Sequence, residues 1–110
     1  MVDFPYPFVK LTGFQWDEGN SEKNWHTHAV TRAEAEQVFL NRPVVVADDV
    51  KHAQEEPRFV LLGRTDADRQ LFVAFTIRGS EVRVISARSM SRSERRRYAK
   101  AIEEEAEADS

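Results

Sequence analysis

Apolar and polar residues alternate differently in the two halves of the chain, and the second half is rich in strand signals. Four runs of β-branched and other apolar residues cover 44–47, 59–63, 71–77 and 82–87. Turn-forming residues separate these runs, so the pattern predicts an antiparallel meander. A further short strand is predicted at 8–11, after an aromatic lead that prolines interrupt.

Helix signals precede and follow these strands. Residues 17–28 contain helix-favouring side chains and predict a short first helix. A hydroxyl residue followed three positions later by glutamate is a capping box, and it occurs at Thr31 and again at Ser91. The first box starts a second helix that stops before Pro43, and the second box starts a closing helix. The apolar stripe of the closing helix consists of Tyr98, Ala101 and Ile102.

The predicted fold class is therefore α+β, a compact antiparallel sheet with two short N-terminal helices and a C-terminal helix. A length of 110 residues suits one domain over 1–110, with an irregular lead at 1–13 and an acidic, frayed tail at 103–110. No apolar run approaches the roughly 20 residues that span a bilayer, and the N-terminus lacks the order of a signal peptide, so we expect a cytoplasmic protein with no membrane contact.

The composition also limits the chemistry. The chain has no cysteine, which excludes disulfides, thiolate nucleophiles and cysteine-based zinc sites. His26 and His28 are two positions apart and do not share a helix face, which argues against a metal pair. Asp48 and Asp49 lack partners at a diagnostic ligand spacing. We therefore expect neither a metal nor a cofactor.

Charge is distributed unevenly along the chain. The formal net charge is −3, but the last eight residues carry five acids, and without them the charge is +2. Within 88–100 the only acid is Glu94. Such a local field suits phosphate groups, although a solvated helix face produces the same pattern. The basic residues of this segment are Arg88, Arg92, Arg95, Arg96, Arg97 and Lys100.

Turn lengths predict which side chains meet across the sheet. If the turn at 79–80 has two residues, Leu71 faces Arg88, and if the loop at 66–69 has four, Arg64 also faces Leu71. The two arginines then flank Leu71 at one rim of the core face. This register gives the core face Arg58, Val60, Leu62, Val73, Phe75, Ile77, Val82 and Val84, and gives the other face Phe59, Leu61, Phe72, Ile85, Arg78 and Arg83.

Cleavage of RNA without a metal requires a proton acceptor, cations that meet the charge on phosphorus, and a proton donor. His28 is a candidate for proton transfer, because imidazole titrates near neutral pH. Arg64 and Arg88 can make bidentate contacts to phosphate, and Tyr98 can donate a hydrogen bond or stack on a base. Ordinary surface roles and ion pairs with nearby acids remain alternatives. The candidate RNA-binding residues are Arg58, Arg78, Arg92 and Arg95.

An ordered series of short motifs runs through about residues 14–98. The motifs are Phe14-Gln15-Trp16-Asp17, Asn24 with His28 and Val30, 34–39, 55–58, Gly63-Arg64-Thr65, 72–78, 83–88, Ser91-Arg92, Glu94-Arg95 and Tyr98. None of them is decisive alone, but in their order and spacing they resemble the BrnT family of toxins.

The resemblance implies a RelE-like fold and an endoribonuclease that stops translation in a bacterial type II toxin-antitoxin system. It also implies a cognate BrnA-like antitoxin, whose ribbon-helix-helix part would bind operator DNA on behalf of the complex. The family commonly has Lys-His-Gly where this chain has Thr27-His28-Ala29. Loss of that lysine leaves a second hypothesis open, a catalytically weak module with the toxin fold that acts through antitoxin binding and transcriptional autoregulation.

Overall fold

In the computed structural model, residues 12–17, 19–20, 28–52 and 56–108 are described, and they form an α+β fold around one sheet. Neighbouring strands are antiparallel except at one edge, where the first strand is parallel to the last. The strands are β1 (Gly13–Phe14), β2 (Val45–Asp48), β3 (Phe59–Arg64), β4 (Gln70–Arg78) and β5 (Glu81–Ser89), in the spatial order β1-β5-β4-β3-β2. The helices are α1 (Arg32–Gln37), α2 (Arg92–Ala108) and a 3-10 turn at Val50–His52.

The predicted meander and the closing helix are confirmed. Both capping boxes are formed. The backbone N–H groups of Glu34 and Glu94 donate to the hydroxyl oxygens of Thr31 and Ser91 at 3.1 and 3.3 Å, and the two glutamate carboxylates accept the N–H groups of Thr31 and Ser91 in return. The described residues hold two α-helices, one fewer than predicted. The first predicted helix, 17–28, lies mostly outside the described residues, although Gly19, Asn20 and His28 at its ends have helical backbone. The strand predicted at 8–11 also lies outside them, and α2 extends through the acidic segment to Ala108.

The two faces of the sheet are covered by different elements. The core face packs against α1 and the segment around it, with Phe39 making edge-on contacts to Phe14 and Phe75 at ring-centroid distances of 5.3 and 5.0 Å. The opposite face, called the helix face below, packs against α2 through Leu62 and Tyr98. No helix of the described residues is long and apolar enough to cross a membrane. The fully buried side chains of the core face include Val30, Val38, Leu61, Leu71, Val73, Phe75, Val82, Val84 and Ala87.

Gly63 allows the chain after α1 to lie directly on β3. A Cβ atom at Gly63 would stand 2.8 Å from the carbonyl oxygen of Val38 and 3.0 Å from its Cβ. Real Cβ atoms do not approach a backbone oxygen so closely, so any larger residue must push the two elements apart. The absent side chain therefore sets the distance between helix and sheet.

The predicted register was wrong at the start of β4, where this strand pairs with both of its neighbours. Arg64 pairs with Gln70, and Leu71 pairs with Gly63, because the connecting loop contains five residues rather than four. The two-residue turn at 79–80 is confirmed by the pairing of Arg78 with Glu81, and Gly79 has φ of 64°. Farther from this turn along β4 and β5, however, Leu71 faces Ser89 instead of Arg88.

A β-bulge in β5 causes the second error. Phe75 pairs with Val84 while Ala74 pairs with Ser86, which leaves Ile85 as an extra residue. One extra residue reverses the alternation of side chains beyond it. Arg88 therefore lies on the helix face, opposite Phe72. Arg64 lies on the same face, because the five-residue loop makes it pair with Gln70 instead of Leu71. The predicted core face of β3 is consequently reversed, and Phe59 and Leu61 are core residues.

We expect Gly63→Ala to lower the free energy of unfolding by about 1–3 kcal/mol, because the added methyl group overpacks the contact between Val38 and β3. Urea unfolding measures the change. Gly13→Ala is the matched control, since its Cβ would meet only Glu81 Oε2 at 3.7 Å. A Gly63→Ala protein as stable as the wild type would show that the backbone at Val38 can move away from β3 without loss of stability.

Candidate active site at one end of the sheet

Most of the predicted site residues gather where β3 and β5 end and β4 begins. Arg64, Gln70 and Ser89 mark this edge, which is called the site end below. α2 starts immediately after β5, so Arg92 and Arg95 lie at the same end. His28 and Ala29 are drawn to it by hydrogen bonds described below. The site end therefore brings together residues from four separate segments of the chain.

Arg88 is held by three kinds of contact at the site end. Its Nη1 and Nη2 donate to the two carboxylate oxygens of Glu94 at 2.8 and 3.0 Å. Nη1 also donates to the carbonyl oxygen of Ser89 at 3.1 Å, and the guanidinium carbon stands 4.1 Å from the centre of the Phe72 ring. The hydrogen bond from Arg88 holds the pKa of Glu94 below its ordinary value. Arg88 thus already binds a carboxylate in the bidentate geometry that suits a phosphate.

Arg64 lies on the same face but in a different environment. Its Nη1 is 3.7 Å from Asp68 Oδ1, which is a loose ion pair with an exposed partner. The side chain borders an open groove of about 610 Å³. Other residues lining this groove are Leu40, Asn41, Arg42, Thr65, Asp66, Asp68 and Glu105. Arg42 and Glu105 pair across it at 3.1 Å.

Tyr98 is a packing residue in this structure. It is 0% exposed, and its hydroxyl donates to the carbonyl oxygen of Pro43 at 2.7 Å. Burial raises the pKa of Tyr98 to about 12. The ring lies against Leu62 and Met90 and ties α2 to the segment before β2. A base cannot stack on the ring without displacement of the helix.

His28 is exposed, and its backbone is bound by an arginine that the sequence reasoning overlooked. The guanidinium of Arg69 donates to the carbonyl oxygens of Ala29 at 2.8 Å and His28 at 3.2 Å. The same group contacts both carboxylate oxygens of Glu34 and the hydroxyl of Ser89. The sequence does not indicate these contacts of Arg69, because its hydrogen-bond partners are distant along the chain.

Glu34 links this cluster to α1. Burial alone would raise its pKa, but hydrogen bonds from Thr31 and the contact with Arg69 outweigh that effect, so the pKa of Glu34 lies below its ordinary value. Its Oε1 accepts the Thr31 backbone N–H at 3.0 Å. The capping carboxylate therefore also serves as an anchor for the arginine.

The start of α2 is strongly basic. Arg92 is exposed at the first turn, and Arg95 Nη1 donates to the carbonyl oxygen of Met90 at 3.0 Å. The last turn of the helix contains no basic residue, and acids fill the segment before it. Cations are thus concentrated beside Arg88, and the acids lie toward the opposite end of the helix.

Two of the predicted RNA-binding residues lie at the other end of the sheet. Arg58 precedes β3 and is 3.4 Å from Asp49 Oδ2, and Arg78 makes a bidentate pair with Glu56 at 2.9 and 3.0 Å. The hydrogen bond with Glu56 raises the pKa of Arg78. The eight residue steps of β4 separate the two ends by about 27 Å, so the sequence-based set does not form one site.

The site end brings the exposed His28, which is bound there through its backbone, to the same end of the sheet as the guanidinium groups of Arg64 and Arg88 on the helix face. Within the described ranges, no three His, Asp or Glu side chains are grouped so that they could hold a metal ion. Histidine can transfer protons near neutral pH, and arginines can bind the oxygens of a phosphate. The chemistry that this arrangement suits is proton transfer beside a bound phosphodiester.

The chain matches a known protein family. A family model described as the ribonuclease toxin BrnT of type II toxin-antitoxin systems matches residues 16–94, which is more than half of the chain. The matched range includes β2 to β5 and ends at Glu94, just inside α2. No curated protein matches the chain at a significant level.

We expect Glu94→Gln to remove a pH-dependent part of the stability. Because the folded pKa of Glu94 is lowered, its contribution is fully present above about pH 4.5 and is lost as the pH falls through the folded pKa. Near pH 7 the variant should lose about 1 kcal/mol, with solvent screening taken into account. Urea unfolding between pH 7 and about pH 3 should show the two proteins converging in acid. Glu103→Gln, in the exposed part of α2, is the control, and a constant difference at every pH would contradict the ion pair.

Proposed function

The chain belongs to the BrnT family of ribonuclease toxins of type II toxin-antitoxin systems, and from this premise we propose that it cleaves RNA at the site end without a metal ion. The observation that carries the proposal is that hydrogen bonds from Arg69 tie the backbone of the exposed His28 to the end of the sheet where Arg64, Arg88 and the basic start of α2 lie. His28 would transfer protons, and Arg64 and Arg88 would hold phosphate oxygens. Arg92 and Arg95 would extend the path of the RNA backbone along α2.

In the proposed reaction, His28 accepts the proton of the 2′-hydroxyl as that oxygen attacks the neighbouring phosphorus. The bond from phosphorus to the 5′-oxygen then breaks, and the leaving oxygen takes up a proton from water or from the site. Negative charge accumulates on the phosphoryl oxygens between these steps, and guanidinium groups that are already fixed stabilise it without further reorganisation. The products are a cyclic phosphate and a free 5′-hydroxyl.

The contact of Arg88 with Glu94 supports this role for the arginine. A carboxylate and a phosphate offer the same pair of acceptor oxygens, and the contact with Phe72 keeps the guanidinium plane in place when its partner changes. Binding of RNA would exchange Glu94 for a phosphate. The capping bond from Ser91 N to Glu94 Oε1, 2.8 Å long, would keep the released carboxylate at the helix start.

Membership in a type II family implies an antitoxin partner. We propose that this partner is BrnA-like, with a ribbon-helix-helix part that binds operator DNA, and that it inhibits the toxin by covering the basic site end. The α+β architecture supports the further proposal that the fold is RelE-like. In this proposal Tyr98 serves only to pack α2 on the sheet. Arg58 and Arg78 would contact only an RNA long enough to extend to the other end of the sheet.

One observation favours a second candidate function, a catalytically weak module that acts through its antitoxin. Arg64 and Arg88 both have carboxylate neighbours, and those contacts weaken their pull on a phosphate. Induced expression in a bacterial host separates the candidates. Arrested growth supports the ribonuclease, and normal growth with folded protein supports the module.

We expect the purified toxin, free of antitoxin, to cleave cellular RNA in the presence of EDTA, and His28→Ala to lower the rate about 100-fold or more. That loss is typical of removal of a general acid or base. Cleavage rates and thermal melts of the same samples test the expectation. His52→Ala is the control, because residue 52 follows β2 at the opposite end of the sheet. Intact RNA in EDTA would refute metal-free cleavage, and a fully active His28→Ala protein would move the proton transfer elsewhere.

The variants Arg64→Ala and Arg88→Ala should each lower the rate on the order of 100-fold, which is typical for loss of one charge-stabilising donor. The observed register separates their strands by two strand spacings, about 10 Å, so we expect them to contact different phosphates. The losses in the double variant should therefore multiply. Cleavage kinetics test this against Lys51→Ala, an exposed residue of the 3-10 turn. A double variant no worse than either single one would show that both arginines act on one phosphate.

A further inference from the structure

Arg69 stands out because all four terminal N–H groups of its guanidinium have acceptors within the protein. Nη1 donates to Ala29 O at 2.8 Å and to the Glu34 carboxylate at 3.2 Å. Nη2 donates to His28 O at 3.2 Å and to Ser89 Oγ at 3.3 Å. A guanidinium bound in this way has no terminal donor left for a phosphate. Its role is therefore within the fold.

The position of Arg69 is itself fixed. Its backbone N–H donates to the hydroxyl of Thr65 at 3.0 Å, and its carbonyl oxygen accepts the Thr65 N–H at 2.9 Å. Thr65 is buried and closes the loop between β3 and β4. The arginine therefore projects from a rigid base.

The segment that Arg69 binds has an unusual backbone. Ala29 has φ of 52°, in the left-handed region that residues with a Cβ atom rarely adopt. The next residue, Val30, is fully buried, so the turn is fixed on its C-terminal side by the core. On the other side, Arg69 holds the turn by donating to the carbonyl groups of both His28 and Ala29.

We propose that Arg69 is a positioning residue for His28. By binding the two carbonyl groups of the left-handed turn at the site end, Arg69 orients the imidazole of His28. The expected effect of Arg69 on catalysis rests on the proposed function, whereas its expected effect on the orientation of His28 does not. Arg69 links the turn to Ser89, which neighbours Arg88 along β5. Arg69 therefore fixes the turn that carries His28 to the end of β5, on the face of the sheet opposite to the side chain of Arg88.

Lysine cannot replace this arrangement, because a single ammonium nitrogen cannot reach four acceptors spread over a planar fork. Arg69→Lys and Arg69→Ala should therefore both lower kcat, by about 10-fold and 100-fold, since small displacements of a reacting group cost such factors. The KM for RNA should change less than about threefold, because Arg69 does not bind the substrate. Added guanidinium ion should restore part of the rate of Arg69→Ala, and an equal concentration of sodium chloride should not.

A cycle with His28→Ala distinguishes positioning from general structural damage. In the His28→Ala background, Arg69→Ala should cause little further loss of kcat, because the group that it positions is already gone. Equal losses in both backgrounds would overturn the proposal, and so would a raised KM with unchanged kcat, which would indicate direct contact with RNA. Lys51→Ala, which removes an exposed cation of the 3-10 turn at the other end of the sheet, is the control.

Imidazole NMR of the full chain keeps the test independent of the proposed function. The His28 signals, assigned by their loss in His28→Ala, should shift and broaden in Arg69→Ala and remain unchanged in Lys51→Ala. If wild-type protein cleaves no RNA but these signals change, the proposed function fails and the positioning role stands. Unchanged His28 signals in a folded Arg69→Ala protein would overturn the positioning role whatever the activity.

Discussion

The alternation of side chains along β5, and its one interruption, determines how a hydrophobic core and a charged site share a single strand. Val82 and Val84 point into the core face. Continued alternation would place the side chain at position 88 beside them, and burial of an unpaired guanidinium there would cost several kcal/mol. The extra residue at Ile85 turns Arg88 to the helix face instead, where Glu94 and Phe72 receive it. The packing of the core and the position of Arg88 therefore depend on the same bulge.

Much of the secondary structure could be predicted because its signals are local. Capping boxes, β-branched runs and the Gly79 turn are each encoded within a few residues, and they appear as predicted. The register could not be predicted, because a five-residue loop and a β-bulge leave no distinct mark in composition. The two errors both moved residues to the opposite face, so Arg64 and Arg88 still share a face, although Leu71 does not lie between them.

The candidate site was predictable only in part, for a physical reason that applies to arginine in general. Sequence identifies a cation but not the acceptors that it meets. Arg78 is committed to Glu56 and Arg69 to four acceptors within the fold, whereas Arg92 is exposed at a helix start. An arginine that stabilises the fold and one that awaits an anion look identical in a sequence, and only the positions of distant carbonyl and carboxylate groups distinguish them.

The charge distribution along α2 opposes the dipole of the helix itself. Helix N-termini carry partial positive charge, so the basic residues around Arg95 are repelled there, and the acids near Glu107 are repelled at the C-terminus. Tyr98 and Ile102 must hold α2 against the sheet despite this internal opposition. A polyanion bound across the first turn would neutralise the positive charge at the N-terminus of α2 and so remove part of this repulsion. Any polyanion bound there would therefore also stabilise the packing of α2 on the sheet, and α2 would pack less stably without it.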